Sequence, residues 1–531
     1  MNADGYLSGP DWSILEPATV LGRPVQVWKE RPRHILDLLD LAPDRDDLAF
    51  LVAGEQRYTF VEFKAAIERA AEAFAELGVQ RGEAVLIVLY NCPEMLLAQW
   101  GLFRLGAVPV FGNRWWSEAE LAEVIERIRP ALIVTDMRAA GAPVLGPSAM
   151  TGWWSRPAPA RTLADPRNDG NEDDVAMIVF TAGSTGAPKG VQQSHRVVVW
   201  SLQTIHVMSG GRPQLAESPA EQKVILMTTP MFHNGAIVTG IAALIDGSRL
   251  VLLRGRFDAA EVLRLIEAER VTNWQAVPTM FSRFLQHPDF AKHDLSSFVA
   301  PATGGTFVPG ALLEAVKRQL PHATARFTVG YGMTEGSFLT MSTLAVMDAT
   351  GGSVGKPIPG AEVKIDQPDA TGQGELLGRS GGIMIGYFGA EQQPIDADGW
   401  YHTGDLGRID DEGYVYVTGR VKDMIIRGGE NIACNHVEDA LLEHPDVLEA
   451  SVVGYPDAEF GEAVGAFVRL REDSTLEQSE LATFARSKLA YFCVPSRWRF
   501  VRDPLPVLAT GKVDKLTLAK QIATPDEQAN A

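Results

Sequence analysis

The chain of 531 residues has only three cysteines, Cys92, Cys434 and Cys493, far apart and without the paired spacing of a zinc site or a disulfide framework. They read as buried or incidental thiols of a protein kept in a reducing compartment, the cytoplasm. Long apolar runs are also missing: the best stretch, around residues 235–245, falls short of the roughly 20 residues a membrane helix needs. The start MNADGYLSGPDW has neither the basic residues nor the apolar core of a secretory signal. Basic side chains are in deficit, 48 against 67 acidic for a net charge of -19, which argues against nucleic acid or an anionic lipid surface as partner and leaves room for a local cationic site. No repeat of solenoid period is present. What remains is an ordinary globular composition, 46% hydrophobic and 22% charged, long enough for three or four compact units or one large α/β body with an appendage.

Helical periodicity in Phe63, Ile67, Ala70, Phe74 and Leu77 ends at Gly78, and the apolar run from Ala84 reads as a buried strand. Pro93 opens a second helix, Gly106 closes it, and residues 108–111 follow as a strand. Ser117 and Glu120 form a capping box before a helix ending near Ile128, and a strand starts at Ala131. Such alternation predicts largely parallel sheets covered by helices, an α/β fold. Residues 139–174, rich in Pro, Gly and polar residues, read as a long surface connection, and a βα-type segment starts at Met177. From Gly360 short strands between Gly and Asp turns suggest a β-rich subdomain, and after Arg420 the pattern becomes α+β. The expected division is a large unit over residues 1–421 and a small one over residues 422–531, with a disordered tail after Ile522.

The strongest local signal is MIVFTAGSTGAPKGV, residues 177–191, a strand running into a loop with Thr181, Gly183, Ser184, Thr185, Gly186, Lys189 and Gly190. Glycines let backbone N–H groups approach a polyphosphate, hydroxyls add donors, and a lysine offsets charge. A P-loop of the Walker type needs Gly before the Lys and Ser or Thr after it; here Pro188 precedes Lys189 and Gly190 follows.

TAGSTGAPKG resembles the phosphate loop of the adenylate-forming superfamily, which includes acyl-CoA synthetases, aryl-CoA ligases, peptide-synthetase adenylation domains and beetle luciferases; Ala182 stands where the usual form has Ser. PMFHNGA at Pro230, GYGMTEG at Gly330, YHTGDLG at Tyr401, GRVKDMIIRGGENI at Gly419 and LATGKVDK at Leu508 follow in that family's order. The resemblance implies an ATP site built from Thr181, Ser184, Thr185, Gly186, Lys189, Gly304, Gly305, Thr306, Tyr331, Gly332, Met333, Thr334, Asp405, Arg420 and Lys512. Within it Tyr331 offers a face to adenine, Thr334 a hydroxyl to a phosphate, Glu335 a carboxylate to Mg2+, Asp405 an acceptor for the ribose hydroxyls and Arg420 a guanidinium fork. Lys512 matches the lysine that stabilises charge developing between carboxylate and α-phosphate, which makes Lys512, Glu335 and Thr334 the catalytic set.

Relatives of this kind rotate the C-terminal unit about a hinge that corresponds to Lys422, bringing Gly428 and Gly429 to the pantetheine arm of coenzyme A. The resemblance places the acyl pocket at His233, Asn234, Gly305, Gly330 and Met333. The stretch after Phe232 has no acid until Asp246, against amino-acid activation. Gly330, lacking a side chain, should leave volume for a bulky, long-chain or aromatic acid, with Trp274 or Phe338 shaping the pocket. The expectation is an AMP-forming acyl-CoA synthetase using ATP, Mg2+ and coenzyme A, monomer or homodimer. Transfer to a carrier-protein pantetheine is one alternative. A luciferase-like oxygenase and a non-catalytic nucleotide-binding regulator are the others.

Overall fold

The structure, a computed structural model, describes residues 11–159, 162–181, 188–211, 213 and 215–523. Among them the strands form sheets of two, seven, nine, four and five strands. In the seven-stranded sheet Leu132–Thr135, Ala84–Val88, Val108–Phe111 and Val175–Thr181 pair in parallel in that order. In the nine-stranded sheet the parallel run passes from Ala49–Ala53 through Arg249–Leu252, Val224–Met227, Asn273–Ala276 and Ala300–Gly304 to Thr328–Met333, where Ser337–Thr343 turns back antiparallel. Central strands such as Leu132–Thr135 are buried at every residue, as parallel strands covered on both faces must be. The α/β class expected from the sequence is the one observed.

Helix ends follow the local chemistry. Thr59 and Glu62 form a capping box that starts Phe60–Glu76 one turn earlier than the apolar periodicity alone suggests. Ser117 and Glu120 do the same for Glu118–Ile128, each cap being worth about 1 kcal/mol. Pro93 is the first residue of Pro93–Leu105, and Gly106 ends it in the left-handed region at φ 78°.

Two expectations need correction. Residues 139–174 are not merely a surface connection: Trp153 is buried with its ring edge-on to Phe74, and Trp154 stacks on Tyr58 at 3.7 Å. Their burial outweighs the polar composition around them. Nor does Val175–Thr181 lead directly to a helix; Lys189–Ser194 first pairs back on it antiparallel, and only then does His195–Met208 begin.

Strands Ala361–Asp366, Gly374–Ser380, Tyr401–Ile409 and Val415–Arg420 form the expected small antiparallel sheet. The exposed turn Val421–Asp423 leads from it to the last sheet, which has its own apolar core with Ile425, Val437, Leu441, Val452, Val468 and Leu481. No helix among the described residues is long and apolar enough to cross a membrane. The expected disordered tail falls largely outside the described residues.

Candidate active site

The site forms where strand ends of the nine-stranded sheet meet the small antiparallel sheet. Strands Thr328–Met333 and Ser337–Thr343 join through a tight turn that carries Thr334 and Glu335. A Cβ on Gly332 would lie 2.2 Å from the Ser337 carbonyl oxygen, so the turn closes this tightly only around a glycine. Gln193 Nε2 donates to the Thr334 carbonyl at 2.8 Å and pins the turn from the neighbouring sheet.

Asp405 and Arg420 face each other across paired strands, with Nε of Arg420 2.8 Å from Oδ1 of Asp405. The Tyr331 hydroxyl donates to Oδ2 at 2.9 Å. Burial raises the Asp405 pKa above the usual carboxylate value, against the opposing pull of Arg420 and the Tyr331 hydroxyl. Burial likewise lifts the Tyr331 phenol well above its ordinary value, with the Asp405 charge adding to it. A carboxylate offers about four acceptor positions, so both of these bonds leave capacity for ribose hydroxyls. Thr403 Oγ1 accepts the Asp405 N–H at 3.0 Å, and Glu375 accepts the Gly404 N–H at 2.9 Å, which fixes the turn that presents Asp405.

A second set of residues gathers around Lys189 and Glu335. Thr181 and Lys189 are register partners at the loop end of their hairpin. Ser184, Thr185 and Gly186 lie outside the described residues. Arg127 donates to the Pro188 carbonyl at 2.8 Å and anchors the end of that loop. Lys189 Nζ sits 4.9 Å from the centre of the Tyr387 ring, and the Tyr387 hydroxyl donates to Oε1 of Glu335 at 2.8 Å. Tyr387 thus ties the cation of the cradle to the carboxylate. Among the described residues no hydrogen bond reaches Oε2 of Glu335, a hard oxygen beside the cradle of the type Mg2+ takes.

Lys512 comes from the far end of the chain. It lies in a loop in which the Leu508 N–H donates to the Lys512 carbonyl at 2.8 Å. Gly511 seats against the helix Pro278–Leu285 so closely that a Cβ there would come within 2.7 Å of Met280 Cε. The ammonium side chain passes Gly305, whose Cβ position would be 3.9 Å from Lys512 Cε. Burial, then the Arg420 charge, pulls the Lys512 pKa down to about 8, while Asp405 and Glu335 pull it up. Lys512 therefore lies within electrostatic reach of Arg420, Asp405 and Glu335, although the four are spread over nearly 180 positions of sequence. His233, at the start of helix Asn234–Ile245, also feels Lys512; burial, then that charge, brings its pKa to about 3, so the ring is neutral.

Not every expected residue fits its expected role. Gly304 and Gly305 do border the site, with Thr306 exposed just beyond them, and Met333 ends the Tyr331 strand. Gly330 does not open volume: its Cβ position is 3.1 Å from Cε1 of Phe338, which lies on the antiparallel strand opposite Gly332 and reaches across. Trp274 is a core residue, its indole N–H donating to Thr228 at 2.9 Å and its ring stacked on Phe281. Gly428 and Gly429 form a hairpin turn whose near neighbour is Phe460, and among the described residues no recorded contact joins them to the Lys512 group. Lys422 is exposed in the linking turn. Tyr387, Gln193, Arg127, Thr403 and Glu375 were not singled out from sequence; of these only Thr403 carried a signal, its place in the Thr-Gly-Asp turn.

The helix-flanked α/β body, the Lys189 hairpin, the buried Asp405 carboxylate and the Lys512 loop of the C-terminal unit lie in the arrangement of an adenylate-forming enzyme. The profile of the AMP-binding enzyme family matches residues 41–388, and that of the AMP-binding enzyme C-terminal domain matches residues 436–512. The chain belongs to that family. It is 32% identical over 510 residues to the methyl-dioxo-octahydro-indenyl-propanoyl:CoA ligase of Rhodococcus jostii (strain RHA1), covering 90% of this chain and 96% of that protein. It is also 32% identical over 506 residues to the 2-succinylbenzoate--CoA ligase of Bacillus licheniformis, covering 91% of this chain and 98% of that protein. Among solved structures, the O-succinylbenzoate coenzyme A synthetase of Bacillus subtilis, in complex with ATP and magnesium ion, superposes with a TM-score of 0.77 at 29% identity, covering 93% of this chain and 100% of that one.

Proposed function

We propose that the protein is an ATP-dependent, AMP-forming acyl-CoA ligase acting on a hydrophobic carboxylic acid. The observation that carries this reading is the convergence of Lys512 on Tyr331, Asp405, Arg420 and Glu335, with the Lys189 hairpin beside them. The CoA ligase names of the relatives support the thiol acceptor.

The chemistry follows from the residues. A carboxylate is a poor acyl donor to a thiol, so one of its oxygens first attacks the α-phosphorus of ATP and pyrophosphate leaves. Asp405 and Arg420 hold the ribose, Lys189 and the hydroxyl loop hold the leaving phosphates, and Lys512 stabilises charge where carboxylate and phosphate meet. Glu335 would hold Mg2+, which supplies charge neutralisation on the phosphates. The thiol of coenzyme A then attacks the acyl carbon and AMP leaves. Access for that thiol requires the Lys512 loop to withdraw, and the exposed turn Val421–Asp423 is where we place the hinge, at Lys422, and the boundary between residues 1–421 and 422–531. Gly428 and Gly429 would approach only in the second arrangement.

The acid is read as hydrophobic because the relatives named above are CoA ligases of a methyl-dioxo-octahydro-indenyl-propanoyl group and of 2-succinylbenzoate, both carrying a carbocyclic ring. Gly330 adds no room for bulk, since the Phe338 ring fills the space beside it. Nε2 of His233 and Oδ1 of Asn234 are buried and meet no hydrogen-bond partner among the described residues, which leaves them for substrate or water. A panel of fatty, aryl and polycyclic acids, each incubated with ATP, Mg2+ and coenzyme A, tests the reading through AMP release and thioester mass. Thioester from at least one hydrophobic acid is expected. AMP release without thioester would move the acceptor to a carrier protein, and no AMP release with any acid would overturn the ligase.

A further inference from the structure

The helix Gly310–Gln319 begins just beyond the Gly304, Gly305 and Thr306 wall, and its own N-cap position is Pro309, whose side chain makes no capping hydrogen bond. The cap comes from elsewhere: Oδ1 of Asp439, on the helix Cys434–Leu442 of the C-terminal unit, accepts the Gly310 N–H at 3.0 Å. A carboxylate at a helix N-terminus meets both a free amide and the positive end of the helix dipole.

A second contact sits on the helix Pro278–Leu285. Nη2 of Arg283 donates to the Leu505 carbonyl at 3.0 Å and lies 3.3 Å from Oε2 of Glu449. Glu449 is itself buried and bound by Arg469 and by the Leu505 N–H. Leu505 is the root of the loop that carries Lys512, and Gly511 of that loop packs on Met280 of the same helix. Both contacts join the large unit to the small one, and both belong to the arrangement in which Lys512 reaches the site.

We propose that Asp439 and Arg283 are positioning residues for the first half-reaction, a two-point dock that sets Lys512 for adenylation and has to release before the thiol can enter. The inference rests on the ligase reading and adds to it which contacts set the balance between the two arrangements. Neither residue touches the reacting atoms. Both act through the place they give Lys512.

The test separates the half-reactions in Asp439→Ala, Asp439→Asn and Arg283→Met, using an acid accepted in the panel above. Acid-dependent exchange of pyrophosphate into ATP should fall about fivefold to thirtyfold in Asp439→Ala and in Arg283→Met, the range of a lost cap or a lost charged contact. Thioester formation from the separately supplied acyl-adenylate should stay within about twofold of the parent. Asp439→Asn keeps an acceptor oxygen and should restore most of the exchange. Hydrogen exchange at the amides of residues 310–313, measured without substrate, should speed up in Asp439→Ala and not in Asp439→Asn. Equal loss in both half-reactions, or unchanged pyrophosphate exchange, would overturn the dock. Should no acid support exchange in the parent protein, the ligase reading fails; the amide measurement still decides whether Asp439 caps that helix, and unchanged exchange rates there would refute the contact.

Discussion

Around Asp405 the polar contacts run between neighbouring strands: Arg420 across the register, Tyr331 from the adjoining sheet, Thr403 and Glu375 from the same small sheet. Around Lys512 they are fewer and come from another unit, through Gly511 on Met280, Arg283 on Leu505 and Asp439 on Gly310. The first group is fixed by the pairing of strands and persists as long as the sheets do. The second is made of a few hydrogen bonds, the Arg283–Glu449 ion pair and one close packing contact, each hydrogen bond worth on the order of 1 kcal/mol, which would suit the proposed movement of that unit. The difference teaches that, under the proposed ligase reading, the Asp405 group would be prearranged for nucleotide, whereas the placing of Lys512 would be an equilibrium.

Removing the cation should break the comparison most sharply. Lys512→Ala is expected to lower acid-dependent pyrophosphate exchange by roughly 100-fold to 1000-fold, the scale of a lost group that stabilises developing charge. Conversion of supplied acyl-adenylate to thioester should survive, and equal damage to both steps would sink the assignment. Lys422→Pro tests the joint instead of the group: by fixing φ it should hold one arrangement and slow one half-reaction by about tenfold to a hundredfold more than the other. Matching residual rates would remove Lys422 from the hinge.

A milder probe is pH. The folded-state pKa of Lys512 is depressed to about 8, below its ordinary value, so the ammonium is present below that pH and is lost as pH rises through it. Adenylation measured as kcat/KM for ATP should therefore decline by about tenfold per unit above this point, while the thioester step shows no such limb. For stability the sign is opposite to that of a group gaining a partner. Burying the charged amine costs stability below about 8, and that cost fades between there and the ordinary lysine value. The smallest effect is expected on the prearranged side: Gly332→Ala should cost about 1–3 kcal/mol by forcing the Ser337 carbonyl away, read as a lower Tm. An unchanged Tm would show that the turn has slack.

Much of this was legible before the structure. The helix starts at Ser117 and Pro93 obey local chemistry, and the Gly-rich and Thr-Gly-Asp segments keep their residue types together in a short window, so pattern alone finds them. Tyr387, Arg283 and Asp439 are single residues whose partners lie 52, 222 and 129 positions away, and no local pattern marks a contact of that kind. Gly330 misled for a related reason: an absent side chain signals space only when the neighbouring side chains are known, and here the ring of Phe338, opposite Gly332, lies diagonally across it. The segment before the phosphate hairpin misled through its average, since two tryptophans outweigh many polar neighbours in area buried.

The scarcity of cysteine has a practical side. Burial pushes the thiols of Cys92 and Cys434 up to about 12 and raises that of Cys493 as well, so all three are poor nucleophiles near neutral pH. The natural chain thus offers a nearly silent background for thiol chemistry. One engineered surface cysteine on each side of the turn Val421–Asp423 would accept a dye pair without first stripping the native thiols, and a change in the distance between the dyes on adding ATP and acid would show the proposed movement directly.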